Sequence, residues 1–333
     1  MGADCGTLLR TISRPFSSVM PTSVAIVLPA YNEAATVEAV ILAFHHALPE
    51  ADIFVIDNNS SDGTAEIAST TLARIGAHGK VIYEGRQGKG CALRRAFQSI
   101  EADVYLLADA DLTYPADQAL DLLAPVLRGE ADMVVGDRQS GGDYLAQNRR
   151  SFHGAGNSLV NRLINYFFDA DLKDSLSGYR AFSRTFVKTY PVMTAGFQVE
   201  TDMTLHALDK RFRILEIPVA YVDRPAGSVS KLNTVADGAR VLFAIFQILR
   251  YYKPFAFFGS IALLAMLAGL VASVPVFNDW FVHRYIYHVP LALLAAALEI
   301  VAFIMLAVAL ILDSIAHQQK MSFELLLLQR SEP

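Results

Sequence analysis

Residues Val24–Thr64 read VAIVLPAYNEAATVEAVILAFHHALPEADIFVIDNNSSDGT. An apolar run, Val24–Leu28, ends in the turn Pro29–Glu33. A helical-period segment, Glu33–Ala47, follows, and a second apolar run, Ile53–Ile56, ends in the polar turn Asp57–Asp62. Short apolar runs bounded by turn residues are strand-like, whereas apolar residues recurring every three or four positions are helical. The alternation continues with Lys80–Tyr83, Val104–Ala108 and Met133–Val135 as strands, and with Asp62–Ile75, Lys89–Ile100 and Asp117–Leu127 as helices. Strand and helix in turn imply right-handed crossovers, hence an α/β domain whose mostly parallel sheet is covered on both faces.

Ligands of such sheets bind beyond the carboxyl ends of the strands. The polar clusters fall there: Pro29–Glu33, Asp57–Asp62, Glu84–Gly90, Asp109–Asp111 and Gly136–Arg138 each follow a strand. One edge of the sheet therefore collects the unusual chemistry.

The chain has 333 residues, 53% hydrophobic and 18% charged, with a formal net charge of −5. That is too apolar for a disordered chain and lacks the basic excess of a nucleic-acid binder, so no nucleic-acid partner is expected. Cys5 and Cys91 have neither CxxC nor Cys/His spacing, which encodes no disulfide framework and no zinc site. The apolar excess is concentrated at 255–277 and 289–312, each long enough to cross a hydrocarbon core of about 30 Å.

The expected organisation is an N-terminal extension (1–21), a catalytic sheet domain (22–232), an amphipathic interfacial helix (233–253), a pair of transmembrane helices (254–313) and a tail (314–333). Asp237, Arg240, Gln247, Arg250 and Lys253 form a polar stripe on the aromatic-rich helix before the first span, the pattern of a helix lying in the lipid interface. Its competing reading is a core helix of the sheet domain. Residues 1–20 contain Arg10 and Arg14 without an uninterrupted apolar stretch, unlike a cleaved signal peptide. Arg240, Arg250 and Lys253 before the first span, with Lys320 and Arg330 after the second, place both termini and the catalytic domain on the cytoplasmic side. Glu299, inside the second span, reads as a helix–helix contact, a lipid-facing polar site or a protonated side chain.

Asp109-Ala110-Asp111 ends an apolar strand and offers two hard oxygen donors, which suit Mg²⁺ or Mn²⁺ bridged to a diphosphate. Acidic pairs at strand ends are also ordinary turn residues. Pro29-Ala30-Tyr31-Asn32-Glu33 presents an aromatic face and amides where a strand turns into a helix, or is simply a proline turn whose Glu complements the helix dipole. Asp57 in Asp57-Asn58-Asn59-Ser60-Ser61-Asp62-Gly63-Thr64 supplies a carboxylate for a base N–H, within a cluster that also makes common turns. Gly88-Lys89-Gly90 is a helix start with a cation and lacks P-loop spacing.

In this order, PAYNE, DNNSSDGT, GKG and DAD resemble the family-2 inverting glycosyltransferases of the Rossmann-like GT-A fold. Gly136-Asp137-Arg138, Asn148-Arg149-Arg150, Asp174-Ser175-Leu176-Ser177-Gly178-Tyr179-Arg180 and the Tyr221–Lys231 segment are similar to the dolichol-phosphate mannosyltransferase group and its bacterial polyprenyl-phosphate relatives. The resemblance covers roughly residues 22–240. It implies Pro29, Tyr31, Glu33, Asp57, Lys89, Asp109 and Lys231 at the nucleotide sugar and Asp109 and Asp111 at the metal. It further implies Arg138, Arg149, His153 and Arg224 at the acceptor phosphate, with Asp111, Arg138, Arg149 and Arg224 carrying the reaction. Asn58 stands where many members carry a second Asp, Thr113 where the mannosyltransferases place a Gln near the metal, and Arg149 and Arg150 compete for one position.

The implied partners are a UDP- or GDP-linked sugar, a polyprenyl phosphate, the membrane and, through the transmembrane helices, a second copy of the chain. A lipid monophosphate has a second pKa of about 6, so it attacks as a dianion without a strong base. The protein then brings two anions together, a task suited to a metal and to arginine forks. A sugar-hydroxyl acceptor would instead need a base such as Asp202, which reads equally as a helix-start residue. A non-catalytic membrane scaffold is the reading from outside enzymes. Ser228, Ser230 and Lys231 lie on a loop whose composition fits a lid or a plain surface loop.

Overall fold

The computed structural model describes residues 22–140, 151–194, 198–220, 246 and 249–330, with main chain alone at 151–157 and 330. Its strands are β1 (Val24–Ala30), β2 (Asp52–Asp57), β3 (Gly79–Tyr83), β4 (Val104–Leu107), β5 (Met133–Asp137), β6 (Arg180–Ser183) and β7 (Ile214–Pro218). They form one sheet in the order β3-β2-β1-β4-β6-β5-β7. Every pairing is parallel except those of β6, which runs antiparallel to β4 and β5.

The helices are α1 (Val37–Ala47), α2 (Thr64–Ile75), α3 (Lys89–Ser99), α4 (Ala119–Leu127, after a 3₁₀ turn at Ala116–Gln118), α5 (Ser151–Phe168), α6 (Arg184–Thr189), α7 (Val199–Asp209), α8 (Pro254–His283) and α9 (Val289–Arg330). Successive β1 side chains alternate between two cores. Ile26 and Leu28 pack with Val37, Ile41 and Phe44 of α1 and Leu122 of α4. Ala25 and Val27 pack with Leu93 and Phe97 of α3, Phe186 of α6 and Met203 of α7. Strands buried on both faces have little room for polar residues, which is why β1, β2, β4 and β5 are readable as apolar runs, whereas β3, at the sheet edge, buries only Ile82.

Two strands escape that reading. β6 opens on Arg180, and β7 alternates apolar residues with Glu216 at a half-exposed sheet edge. The first helix also starts later than its periodicity suggests, at Val37, because Glu33–Thr36 forms a turn whose Glu33 carbonyl accepts from Thr36 N and Val37 N. α2 likewise begins at Thr64, after Gly63 in the left-handed region at φ 88°.

Helices α8 and α9 are long and apolar enough to cross a membrane, and most of their large apolar side chains are exposed. Small residues line their mutual contact: Ala262 and Gly269 on α8, and Ala295, Ala302 and Ala309 on α9, are buried. Glu299 packs over Gly269, where a Cβ would lie 2.5 Å from Glu299 Oε1. It is therefore at the helix–helix contact. Asp279 closes the connecting turn, accepting from Tyr287 N at 2.9 Å and His288 N at 3.1 Å. The second helix outruns its apolar stretch: the residues set apart as a tail continue α9 to Arg330. At 1.5 Å per residue its 42 residues span about 63 Å, twice a hydrocarbon core. The expected interfacial helix, 233–253, lies outside the described residues except at Phe246 and 249–253.

Candidate functional site

β4 and β5 both point the same way as β1, so the loops that follow them share one sheet edge. β6 runs oppositely, and its register sets Arg180 beside Leu107 and Val135. The segment before β6, 174–179, therefore lies between the loops after β4 and β5. Asp109, Asp111, Gly178 and Arg138 are brought to one rim.

The first two loops are stitched together. Asn32, with φ 55°, accepts from Ser61 N at 2.9 Å and donates its own N–H to Ser60 Oγ at 3.0 Å. Glu33 N donates to Thr64 Oγ1 and Ala34 N to Asp62 Oδ2. Although burial opposes it, the Thr64 hydroxyl and the main-chain N–H groups around Asp62 hold its carboxyl below the usual range. Thr36 Oγ1 donates to Ala110 O at 2.7 Å, joining this assembly to the Asp109–Asp111 turn. Tyr31, half-buried, accepts from Gln87 Nε2 at 3.1 Å. Asp57 is buried at the end of β2, with Oδ1 3.4 Å from Ser60 N.

Asn58 is buried and spans the third loop. Its Nδ2 donates to Glu84 O at 3.2 Å and Arg86 O at 2.7 Å, and its Oδ1 accepts from Gly88 N at 2.7 Å. Only an amide both donates twice and accepts in this arrangement. The amide at this position thus holds the start of α3. Glu84, almost fully covered, takes both arms of Arg86, whose hydrogen bond holds the carboxyl down at about 2.

Lys89, in the first turn of α3, turns inward. Its Nζ lies 2.5 Å from Asp109 Oδ1 and 2.6 Å from Glu200 Oε1. Burial alone would disfavour the ammonium, but Asp109 and Glu200 overcome it and raise the Lys89 pKa. Glu200, 5% exposed, leaves its second oxygen, Oε2, buried without a hydrogen-bond partner among the described residues. Gly178 allows the close approach: a Cβ there would sit 2.9 Å from Lys89 Nζ and 3.1 Å from Asp109 Oδ2. Gly178 N donates to the hydroxyl of Tyr114, whose burial pushes its pKa up to about 12.

Asp111, 3% exposed, accepts from Thr113 N at 3.2 Å and Thr113 Oγ1 at 2.5 Å. Thr113 therefore orients the second carboxylate of the Asp109–Asp111 pair. Between Asp111 and Thr113, Leu112 has φ 65°, a strained conformation for a bulky residue that the paired turn maintains.

Arg138 is held in a bidentate pair by Asp174, with Nε–Oδ2 at 2.7 Å and an Nη–Oδ1 contact at 2.9 Å. Asp174 is 1% exposed, and its N–H donates to Glu216 Oε1. Below it, the fully buried Arg180 donates to Ser177 O, Ser175 O and Thr204 Oγ1. Burial pulls the Arg180 pKa down, against Glu200 and Asp174. Asn161 of α5 donates to Lys173 O and accepts from Ser175 Oγ, bracing the same loop.

Pro29, Tyr31, Glu33, Asp57, Lys89, Asp109, Asp111 and Arg138 thus gather on one rim. Arg149, Arg150, Arg224 and Lys231 lie outside the described residues, as do Ser228 and Ser230, and His153 is described only through the main chain of α5. Asp202, the candidate base for a hydroxyl acceptor, is elsewhere: it accepts from Tyr190 OH at 2.8 Å and Tyr252 OH at 3.1 Å. Its neighbour Glu200, two residues away and on another side of α7, is the acid that reaches the rim. Glu200 and Tyr114 carry no signal in their local sequence, since each acts through a partner distant in the chain, and the motifs that contain Asn58 and Asp174 do not show that these residues hold Gly88 and Arg138.

The glycosyl transferase family 2 profile matches residues 25–190. Glycosyltransferase AglJ of Haloferax volcanii is 33% identical over 278 residues, which cover 83% of this chain and 88% of AglJ. The undecaprenyl-phosphate mannosyltransferase of Micrococcus luteus is 29% identical over 228 residues, 66% of this chain and 91% of that protein. Among solved structures, glucosyl-3-phosphoglycerate synthase of Mycobacterium tuberculosis, in complex with Mn²⁺, UDP and glucosyl-3-phosphoglycerate, superposes with a TM-score of 0.54. It covers 69% of this chain and 80% of its own at 23% identity, a likeness of fold.

Proposed function

The chain belongs to glycosyl transferase family 2, and from that premise we propose that it moves a hexose, with inversion, from a nucleotide-diphosphate sugar to a polyprenyl monophosphate. It is a glycosyltransferase with a GT-A-like fold and two apolar helices that suit membrane association. One observation carries the reading: Asp109, Asp111 and Arg138 share a sheet rim in a chain whose last two helices are long enough to cross a bilayer. Residues 22–232 form the catalytic domain in this proposal, held at the cytoplasmic face.

The rim residues fit a divalent cation. Two carboxylates separated by one residue are hard donors, and among the described residues no third acid or imidazole joins them. That set suits Mg²⁺ or Mn²⁺, which keeps water and takes phosphate oxygens from its substrate. When bound, the ion neutralises the leaving diphosphate. Thr113 fixes the Asp111 carboxylate and Lys89 fixes that of Asp109. Pro29, Tyr31, Glu33 and Asp57 line the nucleotide end, and the Asp174 clamp sets the plane of Arg138 toward the acceptor phosphate. Arg149, His153, Arg224 and Lys231 complete the phosphate sites in this reading.

A lipid monophosphate needs orientation more than deprotonation. The commitment of Asp202 to two tyrosines favours this acceptor over a sugar hydroxyl, whose transfer needs a positioned base. The proposal is tested by incubating membranes holding the full chain with labelled UDP- and GDP-sugars, Mg²⁺ or Mn²⁺, and polyprenyl phosphate. Mild-acid-labile label in the lipid supports it. Label in polymer, or none with any donor, overturns it.

A further inference from the structure

Helix α7 is buried along nearly its whole length, yet Glu200, Asp202, Thr204 and His206 are among its residues. Buried polar groups fix a helix in place only through their partners. Those of α7 lie in two directions. Toward the rim, Glu200 holds Lys89, and Thr204 accepts from Arg180 at 2.9 Å, the arginine that braces the 174–178 loop. Toward the membrane helices, Asp202 takes the hydroxyl of Tyr252, two residues before α8 begins.

The far end of α7 meets the part of α9 that extends past the apolar span. Lys320 Nζ lies 2.7 Å from Asp209 Oδ1. Phe323 packs edge-on to His206 at 5.8 Å and to Phe212 at 5.9 Å, with the Lys210 ammonium 5.3 Å over its ring. Lys253, at the start of α8, lies 4.7 Å over Phe168 of α5. The start of α8 is thus tied to the first turns of α7 and the end of α9 to its last, and from Asp209 to Glu200 α7 runs about 14 Å along its axis to the rim. Glu200 Oε2 and His206 Nε2 are buried without hydrogen-bond partners among the described residues, so α7 depends on its outer contacts more than a fully satisfied helix would.

We propose that α7 transmits the seating of the α8–α9 hairpin to the donor site, making Phe323 and Lys320 positioning residues for the transfer. The inference rests on the functional reading above in taking Lys89 and Asp109 as part of that site. Displacing the end of α9 shifts α7, and with it the Glu200 oxygen that sets the Lys89 ammonium against Asp109.

The test uses the full chain in lipid nanodiscs, comparing wild type with K320A, F323A and the conservative K320R. The alanine variants are expected to lower kcat about tenfold, within the range of coupling between sites, with KM for the lipid phosphate unchanged. K320R is expected to restore it. Hydrogen exchange should quicken in 199–205 and at the start of α3, as well as in 314–330. Unchanged kcat, a rise in lipid KM alone, or faster exchange confined to 314–330 would overturn the coupling. If wild type transfers nothing to lipid phosphate, the functional reading fails, while the exchange measurement still decides whether α9 governs α7.

Discussion

Lys89 Nζ lies 2.5 Å from Asp109 Oδ1, so the first carboxylate of the Asp109–Asp111 pair, in the turn after β4, already faces a buried cation supplied by α3. Glu200 shares that cation. The rim is therefore charge-balanced in part by the protein, and its carboxylates are held by fixed neighbours before any substrate arrives.

Lys89→Met leaves two carboxylates facing each other in a covered site. Breaking a buried pair in this way costs about 3–5 kcal/mol. Thermal and urea unfolding of the variant should show that loss, and Lys89→Met/Glu200→Gln should recover part of it. A double variant no more stable than the single one would contradict the pairing.

Asp111→Asn keeps the shape that Thr113 holds but removes a negative charge. Transfer is expected to fall by at least about 100-fold, the scale of a lost electrostatic contact at a reacting centre. Melting should change little, and saturating Mg²⁺ or Mn²⁺ should not restore activity. Near-normal turnover at high metal would remove Asp111 from the ion site. Chelation of divalent ions should silence wild type in the same assay.

Arg138→Ala strands Asp174, which is 1% exposed. The variant should weaken use of lipid phosphate more than donor binding and also lose about 3–5 kcal/mol of stability. Asp174→Asn in the Arg138→Ala background should return stability without returning lipid use. Kinetics that change donor KM instead would move Arg138 away from the acceptor.

Asn58→Asp replaces two N–H donors with oxygens facing the Glu84 and Arg86 carbonyls. Leaving buried acceptors unmatched should cost about 2–3 kcal/mol and loosen the start of α3. Faster amide exchange at 84–90 would register it. Full stability in the variant would show that the amide is not what holds this loop.

His206 is buried, and burial with Lys210 beside it lowers its pKa to about 4. The folded protein therefore binds fewer protons at this site than the unfolded chain between pH 6.5 and 4. Its contribution is fully present above about pH 6.5 and is lost as pH falls toward 4, in total about 3 kcal/mol. Stability measured by denaturant from pH 7.5 to 4 should show the fall, and His206→Phe should flatten that part of the curve. An unchanged slope would place the acid sensitivity elsewhere.

Much of this molecule was legible because the physics concerned is local. β1, β2, β4 and β5 are largely buried and so read as apolar runs, and the rule that sites follow parallel strands picked out Pro29–Glu33, Asp57, Lys89, Asp109, Asp111 and Arg138. β6 was hidden by Arg180, which is polar in sequence but solvated by carbonyls and Thr204 in the fold. In the segment that forms α7 the sequence reading singled out Asp202 and not Glu200, and helix phase, set by packing, gave the rim to Glu200 and the tyrosines to Asp202.

By itself the sequence determined an alternating α/β sheet domain, the edge on which its polar clusters gather and two helices long and apolar enough to cross a bilayer, because periodicity and apolar length act within a few turns of chain. Tertiary structure alone decided that Lys89 joins Asp109 to Glu200, that Asp174 grips Arg138 and that α9 returns to α7. Each of these contacts joins residues far apart in the chain, and charge pairs in a covered site are chosen by distance in space.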